Sequence, residues 1–154
     1  MEGVRMVKRV DIESILANSK TIAVVGLSRD PSKDSYEIAE YLKRQGYRII
    51  PVNPNAEEIL GEPAYPSLAD IPETLQAKID MVNIFRPSDE VPQVVEQAIR
   101  LRQRHGKPSV VWMQVGIIHQ DAAKKAEALG FQVVMDRCLR TELQLRSYRR
   151  SIVH

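Results

Sequence analysis

The sequence predicts an α/β domain: a doubly wound parallel sheet of five strands with helices on both faces. Three observations carry this. Short apolar runs recur at residues 21–26, 47–53, 79–85, 109–115 and 131–135 without clean polar alternation, which suits strands covered on both sides. The stretches between them are amphipathic with helical spacing. Gly46, Gly106 and Gly130 each end a helix-compatible stretch, and an apolar run follows each one.

Taken in order, Asp11 opens a short helix with Ile12, Ile15 and Leu16 on its apolar face. The first strand follows. Ile38, Ala39, Tyr41 and Leu42 then form the stripe of the next helix. After the second strand, residues 56–73 hold Pro63, Pro66 and Pro72 and read as a connection with at most a short helical turn. The third strand leads to Pro87-Ser88, with Ser88 as the expected N-cap of a long helix. That helix is striped by Val91, Val94, Val95, Ala98 and Ile99. Ala122, Ala123, Ala126 and Leu129 mark a thinner stripe before the fifth strand, and residues 141–150 close the chain as a helix. No repeat or linker divides residues 1–154, so one domain is expected. Right-handed crossovers restrict the strand order, and 3-2-1-4-5, a Rossmann-like sheet, is the expectation. Such a sheet takes its ligand at the carboxyl ends of the strands, beside the first strand.

Composition narrows the function. The 154 residues are 44% hydrophobic and 27% charged, as in an ordinary folded domain. Twenty-two Lys and Arg against 20 Asp and Glu leave a net charge of +2, with no footprint of a nucleic-acid binder. One cysteine, Cys138, excludes an intrachain disulfide and a multi-cysteine metal site. No apolar run is long enough to cross a bilayer. Met1-Glu2-Gly3-Val4-Arg5-Met6 carries charge early, so a cytoplasmic protein with no membrane partner is expected.

The loop after the first strand reads Gly26-Leu27-Ser28-Arg29-Asp30-Pro31-Ser32-Lys33-Asp34-Ser35. A glycine lets a phosphate approach the backbone, a helix start offers free N–H groups, and Lys33 with the serine hydroxyls adds donors. The dinucleotide fingerprint G-x-G-x-x-G is absent, because Ser28 and Pro31 stand where its later glycines belong. The second strand ends in Pro51-Val52-Asn53-Pro54-Asn55, without the acidic residue of an NAD site. The third ends at Phe85-Arg86, where Arg86 offers a fork to a phosphate. The fourth ends at Trp112-Met113-Gln114-Val115-Gly116, with Trp112 read as structural and the Gln114–Gly116 loop as ligand-facing.

Together and in order, these segments resemble one family. Ala23-Val24-Val25-Gly26-Leu27-Ser28, Lys33-Asp34-Ser35-Tyr36, Gly46-Tyr47-Arg48-Ile49-Ile50-Pro51-Val52-Asn53-Pro54, Val82-Asn83-Ile84-Phe85-Arg86, Trp112-Met113-Gln114-Val115-Gly116 and Met135-Asp136-Arg137-Cys138 are similar to the stand-alone CoA-binding domain proteins. Those proteins are similar in turn to the N-terminal CoA-binding domain of the succinyl-CoA synthetase alpha subunit. The resemblance covers about residues 15–142. It implies coenzyme A, or an acyl-CoA, as the small-molecule ligand. Gly26, Leu27, Ser28, Lys33 and Ser35 would hold the diphosphate region, and Pro51, Asn53 and Pro54 the adenosine side. Phe85 and Arg86 would flank the nucleotide, and Gln114, with Gly116 in its loop, would meet the pantetheine arm. The synthetase's second domain, which supplies its phosphorylated histidine, has no room here, so binding without ligase chemistry is expected.

Alternatives remain: an NAD(P)-dependent oxidoreductase, or the CoA-binding subunit of an acyl-CoA synthetase whose chemistry lies on another chain. No catalytic set stands out. His105, His119 and His154 lack the H-E-x-x-H spacing, and residues 26–30 lack the last glycine of a nucleophile elbow. His119 reads as a partly exposed residue at a helix start. Cys138 follows Arg137, whose charge favours a thiolate able to exchange with the CoA thiol; the other reading is a buried, small apolar residue. Arg137, Arg140, Arg146, Arg149 and Arg150 read as a solvated basic face.

Overall fold

The computed structural model describes residues 10–153; the charged N-terminal start and His154 lie outside the described residues. Five parallel strands form the central sheet: β1 (Thr21–Val25), β2 (Arg48–Val52), β3 (Met81–Ile84), β4 (Val110–Met113) and β5 (Gln132–Val134). Among the described residues, six helices accompany them: α1 (Ile12–Asn18), α2 (Asp34–Arg44), the single turn α3 (Glu73–Gln76), α4 (Val91–His105), α5 (Gln120–Ala128) and α6 (Leu139–Val153). A hairpin of Glu58–Ile59 with Glu62–Pro63 forms its own two-stranded sheet beside β2, with Ile59 buried in the core.

The apolar runs form strands because both of their faces are covered. On one face Ile22, Val24, Met81, Val110 and Trp112 pack with Ile15, Leu16, Ile38, Leu42, Leu139 and Leu143 from α1, α2 and α6. On the other, Ala23, Val25, Val82, Ile84 and Val111 pack with Val91, Val95, Ala98 and Ile99 of α4 and the alanines of α5. These are the stripes the sequence predicts for α1, α2, α4 and α5, except that Leu129, expected on the α5 stripe, follows the helix and is exposed. Asp11 caps α1, its carboxylate accepting from the Ser14 N–H at 3.0 Å.

The strand order corrects an expectation. It is 2-1-3-4-5, with β3 pairing β1 and β4, and not 3-2-1-4-5. The connection after β2 explains why. Tyr65 bridges to Val52, its N–H donating to the Pro51 carbonyl and its own carbonyl accepting from the Asn53 N–H. The outer edge of β2, where the third strand was expected, is thus taken by this segment. Edge placement also suits Pro51, which has no N–H to give. The chain then crosses back so that the wholly buried Met-Val-Asn-Ile of β3 lies between two strands. The topological switch falls between β1 and β3.

Ser88 is likewise not the cap of α4. Residues Ser88–Glu90 form a 3₁₀ turn, and the Ser88 hydroxyl accepts from the Ile118 N–H in the loop after β4. At the amino edge of the sheet, Asp80 accepts from the N–H groups of Lys20 and Thr21 at 2.9 and 3.0 Å and from Lys107 Nζ at 2.8 Å. Burial pushes its carboxyl up, but these bonds and the Lys107 charge outweigh it and hold the pKa below the usual carboxylate range.

Candidate functional site

A cleft of about 480 Å³ opens where the switch point requires it, at the carboxyl ends of β1, β2 and β3. Gly26 and Ser28 form its floor, Asn53 and Pro54 one wall, and Arg86 with the first turns of α4 the other. The sequence reading named all five of these residues.

The loop after β1 is held in shape by its own polar groups. Gly26 has φ +88°, and its N–H donates to the Val52 carbonyl. A Cβ there would stand 2.8 Å from Arg86 Cδ and 3.2 Å from the Phe85 carbonyl group. Glycine is therefore required both by the backbone conformation and by the Arg86 stem lying over it. The Ser28 N–H donates to Ser35 Oγ, which ties the loop to the first turn of α2. Ser28 Oγ accepts from the Asp30 N–H, and Asp30 accepts from the N–H and hydroxyl of Ser32. The Ser32 bonds hold the Asp30 carboxyl below its ordinary pKa.

Asn53 serves two parts of the cleft. Its Nδ2 donates to the Leu27 carbonyl at 2.9 Å and its Oδ1 accepts from the Asn55 N–H at 2.6 Å. Arg86 forms a fork to Glu90, with Nε–Oε1 at 3.0 Å and Nη2–Oε2 at 2.9 Å.

The remaining predicted residues lie around the cleft and do not line it. Leu27 and Pro51 are buried, Ser35 is buried behind Ser28, and Lys33 is exposed at the head of α2. Phe85 packs into the α2 and α6 side of the core. Gln114, 4% exposed, is a joint between elements: its Oε1 accepts from the Leu139 N–H at 3.0 Å and from Asn83 Nδ2 at 3.3 Å. The Gly116 N–H donates to Asp136 Oδ1. Trp112 is structural, fully buried with its Nε1–H donating to the Arg137 carbonyl. His119 caps α5, Nδ1 accepting from the Ala122 N–H.

Cys138 is half-buried at the start of α6. Burial pushes its thiol up, yet hydrogen bonds with the Thr141 hydroxyl and N–H, the Gln114 side chain and the Arg140 N–H bring the pKa below the ordinary thiol value. The Arg137 guanidinium faces Glu142 at 3.4 Å.

Not named as site residues from the sequence are Gln93, Val94 and Gln97 on α4, Glu90 at its N-cap, and Pro66, Ser67 and Leu68 before it. A signal existed for three of them. Glu90, Gln93 and Gln97 recur at i, i+3 and i+7, a polar stripe beside the apolar one.

Residues 20–144 match the sequence profile described as the CoA binding domain. The chain belongs to the CoA binding domain family. An uncharacterized Bacillus subtilis member, YneT, is 37% identical over 132 residues, covering 86% of this chain and 91% of that one. The solved structure of a hypothetical protein from Pyrococcus horikoshii superposes with a TM-score of 0.79 at 37% identity, covering 94% of this chain and 97% of the other. The CoA binding domain also recurs inside much longer chains. An ADP-forming acetate–CoA ligase I from Archaeoglobus fulgidus is 32% identical over 126 residues, which is 78% of this chain but 18% of the ligase.

Proposed function

We propose that this CoA binding domain takes coenzyme A, or an acyl-CoA, in the cleft at the carboxyl ends of β1, β2 and β3, as an accessory module without its own catalytic group. The observation that carries the reading is the convergence on one cleft of the Gly26–Ser28 turn, the neutral Asn53–Pro54 wall and the Arg86 guanidinium. Gly26 and Ser28 offer backbone approach and a hydroxyl to the diphosphate. Asn53 and Pro54 face the adenosine side, where a carboxylate would repel a ribose phosphate. Arg86 supplies the cation. Leu27, Ser35, Pro51 and Phe85 act by positioning this floor and wall, and Lys33 stands at its approach. Gln114 and Gly116 set the loop over which the pantetheine arm would run.

A native-state ligand stabilises the fold by mass action, by about 2.7 kcal/mol at a hundredfold excess over Kd, and so raises the melting temperature. CoA should raise it, and dephospho-CoA less, because the ribose phosphate is then absent. A larger rise with NAD(P) than with CoA would overturn the reading in favour of an oxidoreductase.

A further inference from the structure

Among the described residues that line the cleft, Arg86 is the one cation and Glu90 the one anion, and the two are already joined. The joint is a fork, the guanidinium Nε and Nη2 each donating to one of the two carboxylate oxygens at 3.0 and 2.9 Å. The backbone sets this geometry. Arg86 ends the β3 exit, Pro87 turns the chain, and the 3₁₀ turn Ser88–Glu90 swings the carboxylate back over the arginine. The Arg86 stem is anchored on Gly26, within reach of the floor where a diphosphate would lie. Both side chains are nearly half exposed, 47% and 42%, so the guanidinium can turn from one partner to another without uncovering a buried charge.

From these observations we infer that Glu90 is a counter-ion latch on the phosphate site. It holds Arg86 aside, and a phosphate is gripped only by replacing the Glu90 carboxylate in the guanidinium fork. The inference rests on the function proposed above, since it assigns a specificity role to a residue of that cleft. The latch favours ligands whose phosphates reach Arg86 strongly enough to compete with a carboxylate held beside it. A single weakly placed anion does not meet that requirement. The chemical class selected is a polyphosphorylated nucleotide carrying phosphate on both the floor and the Arg86 wall.

The test is Glu90→Gln, which keeps the side chain's shape and removes its charge. Affinity for CoA and for adenosine 3′,5′-bisphosphate, measured by titration calorimetry on the full chain, should rise about threefold to tenfold, the range for losing one exposed ion-pair competitor and one like-charge contact. Adenosine affinity should stay unchanged, and the gain should shrink as salt rises. Arg86→Gln should weaken both phosphorylated ligands, and in the double variant the Glu90→Gln gain should shrink to the part left by the lost like-charge contact; an undiminished gain would overturn the latch. Equal melting temperatures without ligand will show that the variants are folded. Unchanged CoA affinity in Glu90→Gln overturns the latch while leaving the cleft's function standing. Weaker affinity also overturns it, because Glu90 would then be a direct partner of the ligand's hydroxyl groups. Wild-type protein that binds no CoA, with a Glu90→Gln variant that does, supports the latch; binding by neither removes the proposed function and the latch together.

Discussion

Gly26→Ala puts the architecture of the phosphate floor to a quantitative test. Two costs can be read from the structure. The residue sits at φ +88°, a conformation that costs an L-residue about 1–2 kcal/mol. The new methyl would also stand 2.8 Å from Arg86 Cδ and 3.2 Å from the Phe85 carbonyl carbon and oxygen. The arginine stem can move, but the Phe85 carbonyl belongs to the exit of β3 and cannot move without disturbing the sheet edge. Overpacking of this kind adds about 1–3 kcal/mol. The sum, roughly 2–5 kcal/mol, corresponds to a fall in melting temperature on the order of 10 °C for a domain of this size. Gly116→Ala is the internal control. Its φ is +82° and nothing lies within 4 Å of the added methyl, so only the conformational cost applies. Paired thermal melts by circular dichroism decide the matter. Equal falls for the two variants, or a fall of only a degree or two for Gly26→Ala, would refute the claim that Arg86 and Phe85 close over this glycine.

Two further outcomes are expected. Asp80 accepts two backbone bonds and one from Lys107, so Asp80→Asn should cost about 1–3 kcal/mol at neutral pH. Because the folded-state pKa of Asp80 is depressed, its contribution is full above the unfolded value of about 3.9 and is lost as pH falls through the lower, folded value. The stability difference between wild type and Asp80→Asn should therefore narrow below pH 4 in acid titrations, and a constant difference would contradict the assignment. For Cys138, the rate of alkylation by iodoacetamide should reach half its plateau at a pH below that of a free thiol. Thr141→Val should move that midpoint upward, and a midpoint at or above the free-thiol value would show that the Thr141 bonds do not govern it.

The sheet was legible because burial on both faces leaves a mark in every strand. All five apolar runs became strands, shortened by one to three residues where the ends turn into loops. The helices followed from their stripes and from Asp11. What escaped was set by contacts between distant residues. Strand order depended on Tyr65 pairing with Pro51 and Asn53, a backbone match to which no side-chain pattern points. Ser88 has the chemistry of a cap, but its hydroxyl is engaged by Ile118, thirty residues away in sequence. In the cleft, Gly26, Ser28, Asn53, Pro54 and Arg86 were readable because each stands at a strand's carboxyl end. Gln114 also stands at such an end, yet bonds from the Leu139 N–H of α6 and from Asn83 Nδ2 draw it inward, a tertiary choice that local sequence does not encode. Glu90, Gln93 and Gln97 belong to a helix face that became a cleft wall only once β3 lay beside β1.

Titration calorimetry of the full chain with coenzyme A tests the central claim most directly. One CoA should bind per chain, with affinity weakened by Arg86→Gln and by removal of the ligand's ribose phosphate. The absence of binding heat, or tighter binding of NAD(P) than of CoA, would contradict it.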